Sequence, residues 1–174
     1  MTTLRRLAPR SFATGAKILD AGCGSGRDIL AFIAGGHEVI AFDASSKMVR
    51  LASRRLGFPV IRLSFDQLEF RGTFDGVWAC ASLLHVPRRR IRNALRRLAL
   101  ALKPGGILYA SFRWGDDEAV CDDRLFTDFR EETFREVLGE LPELRPLTFW
   151  RTPDARPGRA DIEWLNVLLE KVTD

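Results

Sequence analysis

The 174-residue sequence predicts a single α/β domain: a mostly parallel seven-stranded sheet with helices on both faces and a terminal antiparallel hairpin. Three observations carry that expectation. Short apolar runs alternate with helix-period segments from Lys17 to Phe112. A glycine-rich turn, "DAGCGSGRD" (Asp20–Asp28), separates the first run from the first helix. After Asp116 the alternation stops, and two strand-like runs follow, joined by a connection too short for a crossover helix.

The elements follow in order. Lys17–Asp20 reads as a short buried strand and Gly26–Gly35 as a helix with Ile29, Leu30 and Ile33 on its apolar stripe. "EVIAFD" (Glu38–Asp43) is the second strand. The next helix has Ser45 or Ser46 as its N-cap and Gly57 as its stop. "PVIRLSF" and "FDGVWACA" are the third and fourth strands. Pro87 opens a helix whose buried stripe is Ile91, Leu95, Leu98 and Leu102. "KPGG" is a turn and "ILYASF" the fifth strand. "DDEAVCDDRLFTDF" reads as a polar loop and Glu131–Leu138 as a helix. "LRPLTFWRT" and "IEWLNVLLEKV" pair as the closing hairpin across the turn-rich "PDARPGRAD".

Composition narrows the class. Hydrophobic and charged fractions of 46% and 29% are those of a globular protein. No apolar run spans a bilayer and "MTTLRRLAPRSF" lacks a signal-peptide core, so the expected location is cytoplasmic, without membrane contact. Cys23, Cys80 and Cys121 stand apart with no ligand pair, which points away from a metal and from a disulfide frame. The net charge of +4 is spread along the chain. The run "RRRIRNALRR" (Arg88–Arg97) reads as the solvated face of a helix, with no stacking aromatics interleaved, and so argues against nucleic acid.

Gly22, Gly24 and Gly26 follow a strand and precede a helix, where a ligand can lie against bare backbone. Asp43 ends the next strand, and a carboxylate there can accept both hydroxyls of a ribose. A dinucleotide fingerprint would put its third glycine at Arg27 and has no use for Asp20. An amino acid joined to a nucleoside does, because its ammonium would face that acid.

"LDAGCGSGRD", "AFDASSKMV", "FDGVWACASLLHV" and "LKPGGILYASF" resemble the successive motifs of class I S-adenosylmethionine-dependent methyltransferases, over about Gly15 to the end. The resemblance implies the Rossmann-like methyltransferase fold, S-adenosylmethionine as cofactor and S-adenosylhomocysteine as product. It implies that Gly22, Cys23 and Gly24 approach the cofactor through their backbone and that Asp20 helps hold the methionine ammonium. Asp43 would take the ribose hydroxyls, Ala44 and Met48 would flank adenine, and Ala81 would face the methionine moiety. Where many members place an acid that bonds adenine, this sequence has Ser64 and then Phe65. Members also carry a longer segment before the first strand. Here residues 1–16 suffice for one short helix, so the pocket is expected to be open on that side or completed by a second copy or a partner chain. Residues 17–113 form the cofactor half and 114–174 the substrate half.

The expected reaction is methyl transfer to oxygen, nitrogen or sulfur of a small molecule, with an RNA methyltransferase or a non-catalytic binding subunit as rival readings. Such a displacement needs positioning more than a catalytic side chain. His85 is a candidate to take a proton, its other reading being a helix cap. Arg113, ending the fifth strand, is a candidate for a substrate carboxylate or phosphate, its other reading a solvated arginine.

Overall fold

The computed structural model describes residues 12–159 and 161–172. Most of the expected N-terminal helix therefore lies outside the described residues, and Phe12–Ala16 forms a bend and a turn. The strands are β1 (Lys17–Ala21), β2 (Glu38–Asp43), β3 (Ile61–Arg62), β4 (Phe74–Ala79), β5 (Leu102–Arg113), β6 (Glu118–Cys121), β7 (Arg124–Thr127), β8 (Leu144–Pro153) and β9 (Glu163–Lys171). The helices are α1 (Ile29–Ala34), α2 (Ser46–Leu56), α3 (Arg88–Ala101) and α4 (Glu131–Gly139). One seven-stranded sheet runs β3-β2-β1-β4-β5-β9-β8, while β6 and β7 pair separately. β9 is antiparallel to both of its neighbours, β5 and β8, and the pairs from β3 through β5 are parallel.

Alternation along the strands divides the core into two layers. Leu19, Phe42, Val77 and Leu108 point to the face covered by Ile91, Leu95 and Leu98 of α3 and Phe134 of α4. Ile18, Trp78 and Tyr109 point the other way, against Phe32 of α1 and Phe12. Ala52 of α2 meets Ala41 and Ile29 on that side. Trp78 and Tyr109 stack at 3.9 Å between centroids.

Several local expectations are corrected. The first helix starts at Ile29, because Gly24 and Gly26 hold positive φ and keep the chain in turns. Its buried face is Ile29 and Phe32, while Leu30 and Ile33 are 42% and 43% exposed. The third strand shrinks to Ile61–Arg62, since Gln67 Oε1 accepts from both Ser64 N and Ser64 Oγ at 3.0 Å and draws the chain into a 3₁₀ turn, Phe65–Gln67. The fourth strand stops at Ala79, because Ala81 adopts φ +51° and turns the chain. "KPGG" is absorbed into β5, with Gly105 at φ +73° and a register shift opposite Phe74 and Gly76. Leu102 is buried as expected, but it starts β5 instead of extending α3. The polar loop after Asp116 contains the β6–β7 hairpin.

Ser45 caps α2, its Oγ accepting from Met48 N at 3.4 Å, and Gly57 ends it at φ +75°. Among the described residues no helix is long and apolar enough to cross a membrane.

Asn166 of β9 ties β5 to the edge strand β8. Its Oδ1 accepts from the buried Tyr109 hydroxyl at 2.7 Å, and its Nδ2 donates to Thr152 Oγ1 at 3.1 Å and to the carbonyls of Trp164 and Trp150. Asn166→Ala removes the acceptor of the buried Tyr109 hydroxyl's 2.7 Å bond and opens a void. The expected cost is about 2–4 kcal/mol, read by urea denaturation; a midpoint unchanged from the parent would contradict this account.

Candidate functional site

The carboxyl ends of β1, β2 and β4 meet where open parallel sheets place their ligands. Gly22 N and Cys23 N both donate to the Phe42 carbonyl at 2.9 Å, tying the glycine turn to the end of β2. Asp43 completes the tie: its Oδ2 accepts from Gly24 N and its Oδ1 from Ser45 N, each at 2.8 Å. Each carboxylate oxygen keeps lone-pair capacity for a further donor. Asp43 is thus aimed by two backbone amides while remaining half-exposed.

Across the turn, Ser82 Oγ donates to the Ala21 carbonyl at 2.6 Å. This approach leaves no space for a side chain at Gly22, whose φ is +78° and whose Cβ would lie 2.5 Å from Ser82 Cβ. Ala81 holds φ +51° and its N–H donates to Ser111 Oγ at 2.9 Å, which fixes the loop after β4 to β5.

Asp20 lies beneath the glycine turn, 3% exposed. Among the described residues its Oδ2 is buried without a hydrogen-bond partner. Burial, then the charges of Asp28 and Asp43, push its carboxyl well above the ordinary carboxylate range, and Arg27 opposes them. Such a group is costly to leave alone and is satisfied by a cation.

Beside Asp43, a cavity of about 330 Å³ is lined by Ala44, Arg62, Leu63, Ser64 and Gln67. Phe65 packs edge-on against Phe42 at 5.4 Å instead of lining it. Asp66 turns to α3, with Arg90 Nη1 at 3.2 Å and Asn93 Nδ2 at 3.4 Å. Met48 is half-buried in the first turn of α2.

Both nitrogens of His85 have protein partners. Nδ1 lies 2.6 Å from the Leu125 carbonyl and Nε2 2.5 Å from Arg124 Nη2. A carbonyl on one side and a guanidinium on the other define a neutral ring, Nδ1–H donating and Nε2 accepting. Burial lowers its pKa, with Arg124 adding to it, against the opposing pull of the Leu125 bond and the charge of Asp43. Arg113 is half-buried at the end of β5, with Asp128 Oδ1 3.7 Å from its Nε and the Phe126 ring under its guanidinium.

The arginine run is engaged by its own protein. Arg90 pairs with Asp66, Arg92 with Glu140 and Arg96 with Glu143, and Arg97 donates to the Leu68 carbonyl. Burial, then the charge of Asp28, pushes the Cys80 thiol up to about 12. It is protonated at neutral pH and is no nucleophile there.

Sequence reasoning did not identify Asp28, Ser111, Arg124 or Asp128. Asp28 binds Arg27 and accepts from Trp78 Nε1 at 3.1 Å, holding the turn against β4. Ser111 had a visible signal, a small hydroxyl in the largely apolar "ILYASF". Arg124 and Asp128 lay inside what read as a loop.

Comparisons with known proteins identify the family. A family described as a methyltransferase domain matches residues 18–106, just over half of the chain. A ubiquinone biosynthesis O-methyltransferase of Xanthomonas campestris pv. campestris is 33% identical over 112 residues, 60% of this chain and 46% of that protein. The methyltransferase GfsG of Streptomyces halstedii is 32% identical over 106 residues, 55% of this chain and 37% of that protein. The chain thus spans half or less of the length of these curated relatives. Among solved structures, the 1,6-didemethyltoxoflavin-N1-methyltransferase of Burkholderia thailandensis, with bound 1,6-didemethyltoxoflavin and S-adenosylhomocysteine, superposes with TM-score 0.80. It is 26% identical, with 97% of this chain and 78% of that one covered. An S-adenosylmethionine-dependent methyltransferase of Mesorhizobium loti shares the fold at TM-score 0.76 and 18% identity, covering 97% and 98%.

The close approach at Gly22 generates a prediction. Gly22→Ala adds both a left-handed-φ penalty and an overlap with Ser82. The expected loss is at least about 2 kcal/mol of stability by denaturant titration. A fully stable variant would contradict the geometry.

Proposed function

This chain belongs to the class I S-adenosylmethionine-dependent methyltransferase family, and from that membership we propose its activity: methyl transfer from S-adenosylmethionine to oxygen, nitrogen or sulfur of a small-molecule acceptor by in-line displacement. The observation that carries this reading is the buried Asp20 carboxyl, whose Oδ2 has no hydrogen-bond partner among the described residues, under a glycine turn clamped by Asp43. A dinucleotide carries no ammonium to set against Asp20; an amino acid joined to a nucleoside does. The relatives named for O- and N1-methylation of small molecules support the acceptor class.

The residues fit the cofactor. In this reading Asp20 takes the methionine ammonium, and the peptide groups of Gly22, Cys23 and Gly24 lie along the ligand where no Cβ intervenes. Asp43 keeps acceptor capacity for two ribose hydroxyls. Ala44, Leu63, Ser64 and Gln67 wall the adenine end, with Met48 beside them, and Gln67 has its amide nitrogen to offer because Ser64 already engages its oxygen. The backbone at Ala81, fixed by Ser111, borders the methionine end. When bound, S-adenosylmethionine supplies a sulfonium methyl and a neutral thioether leaving group. The chain's own work is to hold two reactants in line and exclude water, which can lower a barrier by about 7–11 kcal/mol without a proton-transferring residue. His85 therefore acts, in this proposal, by holding the β6–β7 hairpin, since both of its nitrogens are already engaged.

The test is formation of S-adenosylhomocysteine from S-adenosylmethionine, dependent on added phenol, amine and thiol acceptors. Asp43→Ala is expected to weaken S-adenosylhomocysteine binding by roughly 100-fold or more in equilibrium dialysis, with the circular dichroism of the parent. Parental affinity would contradict the ribose role.

Asp20 predicts a pH dependence. Its pKa is raised in the free protein, and an ammonium requires the carboxylate. Affinity for S-adenosylhomocysteine should fall as pH drops through the raised Asp20 pKa, approaching about tenfold per pH unit below it. The unliganded fold moves oppositely: a carboxyl with a raised folded pKa contributes more stability as pH falls toward its unfolded value. Affinity independent of pH over the acid range, measured by calorimetry, would contradict Asp20 as the cation's partner.

A further inference from the structure

The β6–β7 hairpin is fastened to the segment after β4 by contacts that the cofactor site does not use. Besides the two His85 bonds, Thr127 Oγ1 donates to the Val86 carbonyl at 2.9 Å, and Glu118 Oε2 accepts from Arg88 N at 2.5 Å. Arg88 Nη2 donates to the Asp128 and Asp116 carbonyls at 2.6 and 3.1 Å, and its guanidinium lies over Phe129 at 4.3 Å. Phe129 N donates to the Arg113 carbonyl at 3.0 Å, bringing the chain after β7 to the end of β5. The hairpin is a fixed wall beside the acceptor end of the sheet.

Against that wall stands Arg113. Its guanidinium lies 5.1 Å from the centroid of Phe126, and Asp128 Oδ1 lies 3.7 Å from Nε, beyond hydrogen-bond range. Asp128 is 6% exposed, and its Oδ1 is buried without a hydrogen bond among the described residues. A buried acid against Nε fixes the position of the cation, and among the described residues neither terminal nitrogen of Arg113 makes a hydrogen bond. Arg113 also lies two residues beyond Ser111, about 7 Å along the strand, and Ser111 is the residue that holds Ala81.

We infer that Arg113, aimed by Asp128 and the Phe126 ring, is a carboxylate subsite for the methyl acceptor, so that the substrate class is small carboxylate-bearing molecules. The inference rests on the methyltransferase reading for the word acceptor, but the subsite itself does not need it. A planar guanidinium presents two parallel N–H groups to a carboxylate. One arginine already facing one buried acid matches a monoanion better than a doubly charged phosphate. Asp128 is a positioning residue, acting on substrate only through Arg113.

The test is a nuclear magnetic resonance titration of the full chain, with and without S-adenosylhomocysteine, using benzoate and benzamide as probes of matched shape. Benzoate is expected to bind at least roughly tenfold more tightly than benzamide. Arg113→Gln should erase that preference, and Arg113→Lys, which keeps the charge and loses the fork, should keep only part of it. Asp128→Asn should narrow the preference, whereas a loss of packing alone would weaken both probes alike. S-adenosylhomocysteine binding by each variant reports on its fold. Equal binding of the two probes, or a preference that survives Arg113→Gln, overturns the subsite. A preference that depends on Arg113 in a chain that does not bind S-adenosylhomocysteine upholds the subsite and sinks the methyltransferase reading.

Discussion

The approach of Gly22 to Ser82 sets the geometry on which the site depends. Hydrogen bonds from Gly22 N and Cys23 N to Phe42, and from Ser82 Oγ to Ala21, draw the ends of β1, β2 and the loop after β4 together. They can do so only because Gly22 has no Cβ and takes a left-handed φ. A side chain there would spread the three elements apart. Asp43 could then no longer reach Gly24, and Ala81 would lose its place against Ser111.

Charge is arranged around that pinch with one gap. Asp28 has Arg27 and Trp78, and Asp43 has two backbone amides. Asp20 has an oxygen with no partner among the described residues, beneath a turn where backbone is exposed. Leaving a buried acid in this state destabilises the free protein; a bound cation relieves it. Binding and folding therefore pull against each other at this residue, as they commonly do at ligand sites. Beyond β4, His85 and Arg88 fasten the β6–β7 hairpin, and Arg113 is the residue we propose for the acceptor's carboxylate.

Much of this was legible in the sequence, for physical reasons that differ by element. Buried parallel strands are continuous apolar runs, so β1, β2, β4 and β5 could be read directly. The closing hairpin followed from the length of its connection. Asp20 stood out as an acid two residues before the glycine turn, and Asp43 as an acid closing the next strand. The β6–β7 hairpin was not legible: every residue of β6 is exposed, so no apolar alternation marks it. Its turn is Asp122–Asp123, both at positive φ, where glycine or asparagine would have been the signal. Asp128 and Arg124 went unnoticed with it. The third strand was overread because "PVIRLSF" is apolar enough for a strand, while the Ser64–Gln67 bonds that end it are a local side-chain competition with the ladder. The arginine run was rightly read as a helix face, although much of that face is engaged with Glu140, Glu143, Asp66 and the Leu68 carbonyl instead of simply solvated.

The Asp20–Asp43 frame is proposed to recognise an amino acid joined to a nucleoside. Calorimetric titration of the full chain with S-adenosylhomocysteine, with NAD as the control ligand, tests it most directly. S-adenosylhomocysteine is expected to bind saturably and one-to-one, and NAD not to saturate, because only the former carries an ammonium to the buried carboxyl of Asp20. Saturable binding of NAD with none of S-adenosylhomocysteine would contradict it.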